Sequence, residues 1–139
     1  MPTLRDAYDE LYVYTMGRPG FILQHVVDAF MAQSAEPGSS GFKPIGLVFA
    51  LVGLYLHVEK GFNGTQVQRV HMLLGKRKRD WPAIPTPARR GTLTPIDVLA
   101  VPAGAARDSA IDAWYATVWE AYHPTRQTIL DLLREHEIT

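Results

Sequence analysis

Twelve consecutive residues near the middle of the chain, Ile45 to Leu56 (IGLVFALVGLYL), carry no charge. As a helix this segment is apolar almost all round, and such a helix must lie inside a fold with other elements packed about it. It is shorter than the roughly 18 apolar residues that a membrane-spanning helix needs. Pro44 suits the first turn, where its missing N–H would have no partner anyway, and Gly61 is a natural stop after Lys60. Gly46 and Gly53 stand seven apart, nearly on one face, and let a neighbouring helix approach closely.

The flanking segments read as helices too. Thr3 and Asp6 form the start signal of a first helix with Leu4, Ala7, Tyr8, Leu11 and Tyr14 at helical spacing, which Gly17-Arg18-Pro19-Gly20 ends. A second helix runs from about Phe21 to Gln33, and a fourth, capped by Asn63 or Thr65, runs through Leu74. A Pro-rich stretch from Trp81 to Gly91 reads as an ordered strap held by Trp81 and Ile84, and Thr94-Pro95 opens a short helix. A fifth long helix spans about Arg107 to Tyr122. Pro124 breaks or kinks it, and Ile129, Leu132 and Leu133 continue the pattern. No alternating run long enough for a strand and no internal repeat is present. The expected fold is all-α, a bundle of about five or six helices in a single domain over residues 1–139.

Composition removes several function classes. With no cysteine there is no disulfide, thiolate nucleophile or Cys-ligated metal cluster, so a metal must rely on His, Asp, Glu or Tyr. Lys plus Arg and Asp plus Glu are 14 each, which gives no overall attraction to nucleic acid or an anionic membrane. The one basic run, Lys76-Arg77-Lys78-Arg79, suits the C-terminal end of a helix dipole. The N-terminal segment lacks a basic start followed by an apolar stretch, and a cytoplasmic protein is expected. No HExxH motif, Gly-x-Ser-x-Gly elbow or phosphate loop occurs.

The candidate chemistry gathers at the end of the apolar helix. His25 and Asp28 are three apart on the second helix and so share a face. With His57 and His71 they make a candidate metal set of a kind that suits zinc, iron, manganese or nickel. An open coordination position there would activate water, so metal-dependent hydrolysis is the first expectation for an enzyme. The same region also reads as a metal-free, small-molecule pocket lined by Gln24, Gln33, Tyr55, Glu59, Lys60 and Gln68. One Glu-x-x-His, Glu120 to His123, is a single copy where carboxylate-bridged bundles use two. Trp114, Tyr115, Trp119 and Tyr122 have the spacing of a core stripe and read as packing. The alternative to a ligand site is a non-catalytic interaction module or homodimer, whose polar residues only satisfy its helix ends.

The segments YTMGRPGFILQHVVDAFMAQ, KPIGLVFALVGLYLHVEKGFNGTQVQRVHMLL, WPAIP, GTLTPIDVLA and AIDAWYATVWEAY resemble a family of small bacterial proteins described only as a domain of unknown function. The resemblance runs from about Tyr12 to Tyr122 and implies a helical bacterial protein without an assigned activity. By likeness, Gln24, His25, Asp28, Gln33, Glu59, Gln68 and His71 fall within the family's motif segments, with no role attached. Some members carry a cysteine-containing N-terminal segment, a feature this chain does not share.

Overall fold

The computed structural model describes residues 3–36, 38–39, 42–77 and 80–138. Among the described residues it is all-helical, with seven α-helices: α1 (Leu4–Thr15), α2 (Leu23–Ser34), α3 (Pro44–Lys60), α4 (Gly64–Arg77), α5 (Pro95–Leu99), α6 (Ala105–Ala121) and α7 (Arg126–Glu135). Two short 3-10 turns, Pro19–Phe21 and His123–Thr125, lead into α2 and α7. The count exceeds the expected five or six because Pro124 breaks the C-terminal pattern. α6 stops at Ala121, and Ile129, Leu132 and Leu133 belong to a separate helix.

The start and stop signals act as their chemistry requires. Thr3 and Asp6 form a reciprocal capping box at α1, and Thr94 and Asp97 form another at α5. Asn63 Oδ1 accepts from the Gln66 N–H at 2.9 Å while Gln66 Oε1 accepts from the Asn63 N–H at 2.8 Å, an equivalent box at α4. Gly61, with φ 72°, ends α3 in the left-handed region.

α3 occupies the centre. Leu47, Val48, Leu51, Val52, Leu54 and Leu56 are at most 1% exposed, and each fully buried aliphatic side chain stabilises the fold by about 1.5–3 kcal/mol relative to exposure. α2, α4, α6 and α7 all pack on α3, with α2 the most extensively. α2 runs antiparallel to α3: Met31 meets Gly46, Asp28 meets Gly53, and the His25 ring meets His57. A second close approach fixes the entry to α2. A Cβ on Gly64 would overlap the carbonyl oxygen of Phe21 and lie 2.6 Å from its carbon.

The Pro-rich strap is held as the sequence implies and by more besides. Trp81 and Ile84 pack against the core, Trp81 edge-on to Phe49 with ring centroids 5.1 Å apart. Arg90 donates to the Gln33 and Ala35 carbonyls, and Gln33 donates back to the carbonyls of Arg90 at 3.1 Å and Leu93 at 2.7 Å. No helix among the described residues is long and apolar enough to cross a membrane. Within the basic run, Lys76 and Arg77 end α4 and Arg77 donates to the His136 carbonyl at 2.8 Å. Lys78 and Arg79 lie outside the described residues.

Candidate functional site

The Gln24-His25-Val26-Val27-Asp28 segment turns His25 and Asp28 onto the face of α2 that meets α3, and both are buried, at 1% and 4% exposure. Phe49, the partner of His71, stands seven positions before Leu56 on α3, and the next residue, His57, faces His25 across the helix pair. The two imidazoles stack with centroids 3.6 Å apart and planes 18° apart. Tyr115 of α6 closes the group edge-on, 5.8 Å from the His25 ring and 5.4 Å from that of His57. These three rings line a pocket of about 270 Å³ whose rim carries Arg18, Asp108 and Asp112, with Ile22 and Ile111 as its apolar wall.

Beside this pocket, on residues that line it, both ring nitrogens of His25 and the Tyr115 hydroxyl are buried without a hydrogen-bond partner. Each such group costs on the order of 1–3 kcal/mol, so the protein forgoes stability to keep them here. Burial, and then the neighbouring His57 charge, pushes the His25 pKa down to about 3, so its ring is neutral. Burial also pushes the Tyr115 phenol well up, helped by the charges of Asp112 and Asp28, so it keeps its proton. The Asp28 carboxyl is raised well above the usual carboxylate range by burial, against a hydrogen bond from Gln24 Nε2 to Oδ1 at 3.0 Å. Its other oxygen has no partner and rests against the bare Cα of Gly53.

The expected metal quartet is not assembled. His71 Nε2 donates to the Phe49 carbonyl at 2.7 Å and its ring stacks on Phe49, about two turns along α3 from His57. Burial lowers its pKa, against that backbone hydrogen bond. The stacked rings of His25 and His57 present faces to each other, whereas a shared metal needs their lone pairs to converge. Among the described residues no group of three or more His, Asp or Glu side chains is placed to hold a metal ion.

The expected small-molecule lining is likewise dispersed. Gln24 supports Asp28. Gln33 holds the strap and accepts from Trp114 Nε1 at 2.9 Å. Tyr55 is buried against Trp119, while Lys60 and Gln68 are exposed. Glu59 accepts from Trp119 Nε1 at 2.7 Å and from Arg126 through both oxygens, at 2.8 and 2.6 Å, which joins α3 to α6 and α7. The Arg126 hydrogen bond is the main cause that holds its carboxyl below the usual range. Gln24, Gln33 and Glu59 thus make contacts that hold the fold.

Tyr115, Asp112 and Asp108 were not singled out by sequence as site residues, yet a signal exists. Residues 108, 112 and 115 recur at one-turn spacing on α6, a polar line beside the core positions Trp114 and Trp119. Asp108 is held at the rim by Arg18 Nη1, 3.1 Å from each carboxylate oxygen, and by the Tyr14 hydroxyl at 2.8 Å. Those hydrogen bonds, Tyr14's first, lower the Asp108 pKa.

Comparison with known proteins agrees with the motif resemblance and extends it. A family model described as a family of unknown function, DUF5946, matches residues 5–123. No curated protein and no solved structure gave a match. The matched span takes in α1 to α6 and every residue of the His25–His57–Tyr115 pocket, and the chain belongs to this family of unknown function.

Proposed function

We propose that the protein binds a small polar molecule in the pocket between α2, α3 and α6. The observation that carries this reading is the set of buried polar atoms with no protein partner, His25 Nδ1 and Nε2 and Tyr115 Oη, on two residues that line one cavity. A purely structural cluster would pair these atoms with one another or with backbone, as His71 is paired with Phe49. Metal-dependent hydrolysis has no support here, because the ligand set it needs is not brought together.

Tyr115→Phe separates the two roles. The hydroxyl makes no protein hydrogen bond, so its removal should leave stability unchanged or raise it by up to about 1 kcal/mol. Small polar fragments that raise the thermal midpoint of the parent protein should lose that effect in the variant. Equal stabilisation of both proteins, or a variant that loses folding stability by itself, contradicts the proposal.

One observation favours a second reading, a homodimer. Tyr12 and Val13 on α1 and its C-cap residue Met16, one turn on, stay 37%, 66% and 55% exposed. Under that reading light scattering gives twice the monomer mass, and Val13→Lys with Met16→Lys returns the monomer. A monomeric parent protein at all concentrations tested removes it.

A further inference from the structure

Resting on the pocket reading above, we propose that the occupant is a small organic cation with N–H donors: a guanidinium, amidinium or primary ammonium group. The assignment begins with a proton. His57 Nδ1 lies 2.8 Å from the carbonyl oxygen of Phe62. A carbonyl only accepts, so Nδ1 carries the hydrogen, and in the neutral ring Nε2 presents its lone pair. That lone pair is 3.7 Å from Asp112 Oδ1, so two acceptors confront each other at the pocket's edge. A donor placed between them resolves the confrontation, and a cationic one does so best because Asp112 is charged.

The rest of the lining agrees. His25, held neutral by burial, offers one unused lone pair, and the Tyr115 hydroxyl offers an unused oxygen. The cation at the rim is already committed. Arg18 bonds both oxygens of Asp108 and lies over the Tyr14 ring, 4.3 Å from its centroid. Arg107, also over Tyr14, is turned to the carbonyls of Val101 at 2.9 Å and Leu99 at 3.3 Å. Of the charged residues lining the pocket, Arg18 cancels Asp108 and leaves the single negative charge of Asp112. The ring of Tyr115 supplies an aromatic surface of the kind that attracts cations. A volume of about 270 Å³ lies just under the usual range for drug-sized ligands, so the head of a small molecule fits and a nucleotide does not.

Three isosteres that differ in charge test the assignment: acetamidinium, acetamide and acetate, titrated into protein labelled in its histidine rings. Acetamidinium should shift the His25 and His57 signals saturably and bind about ten-fold or more tightly than acetamide, and acetate should leave them unmoved. Asp112 is largely exposed, so Asp112→Asn should fold normally and weaken acetamidinium by about three- to five-fold. Ring nitrogen shifts at about pH 8 should show one proton on His57, at Nδ1. Acetamide or acetate binding at these histidines as well as acetamidinium overturns the cation assignment and leaves the pocket standing. So does a proton found on His57 Nε2. Failure of all three probes, and of every fragment in a mixed polar set, to move His25 or His57 overturns both.

Discussion

Gly53→Ala should lower stability by about 3 kcal/mol, the upper end of what one inserted methyl costs in a packed interior, and the thermal midpoint by about 10 °C. A Cβ at this position would overlap Asp28 Oδ2, lie 2.8 Å from its Cγ and 3.1 Å from Val67 Cγ1. On propensity alone the change should help, since alanine in a helix interior is worth about 1 kcal/mol over glycine. The overlap wins because Asp28 has no room to retreat: it is 4% exposed and anchored by Gln24. The test is therefore a double-mutant cycle. In the Asp28→Ala background Gly53→Ala should be nearly harmless, giving a coupling of about 3 kcal/mol. A neutral or stabilising Gly53→Ala in the parent protein would show that the carboxyl does not sit on the α3 backbone.

Acidification should expose the buried histidine. The pKa of His25 is lowered from 6.5 to about 3 in the fold, so below pH 6.5 the unfolded chain takes up a proton that the folded chain refuses. Its contribution is therefore intact above pH 6.5 and is lost as pH falls towards 3, at up to about 1.4 kcal/mol per pH unit, or about 2 kcal/mol by roughly pH 5. His71, also lowered, adds a loss of the same sign. Asp28 opposes both. Its folded pKa is raised, so its contribution is complete below the ordinary carboxyl value of 3.8, is lost as pH rises through the folded value, and returns as acid is added. Urea midpoints between about pH 7 and pH 5 measure the balance. The parent protein should weaken with acid, His25→Phe should flatten that limb, and Asp28→Asn should steepen it by removing the opposing proton. An unchanged slope in His25→Phe would mean that the ring titrates in contact with water.

The helices were legible because their signals are local. The uncharged run from Ile45 to Leu56 dictates a buried helix, and Thr3 with Asp6, Thr94 with Asp97, and Pro44 mark helix starts by chemistry that reaches only three residues. The helix count fell short at Pro124, since breaking and kinking differ by tertiary packing that the local pattern does not contain. The site was half legible. Spacing alone puts His25 and Asp28 on one face, and the end of the apolar run puts His57 near them. It could not reveal that His71 is taken by the Phe49 carbonyl, about two turns along α3 from His57, or that Gln33 and Glu59 are taken by Trp114 and Arg126, 81 and 67 residues away. Tyr115 was hidden for a different reason. It lies between Trp114 and Trp119 in an aromatic stripe, and helical spacing does not distinguish a ring that fills the core from one that closes a pocket.

The central claim is that His25, His57 and Tyr115 surround a ligand. Ring-labelled histidine spectra, recorded with and without a mixed set of small polar fragments, test it most directly. The signals of His25 and His57 should move together and saturate, while His71, tied to the Phe49 carbonyl about two turns along α3 from His57, stays in place as an internal control. Fragments that bind while leaving His25 and His57 unmoved, or that shift His71 equally, would place the binding site elsewhere and contradict the claim.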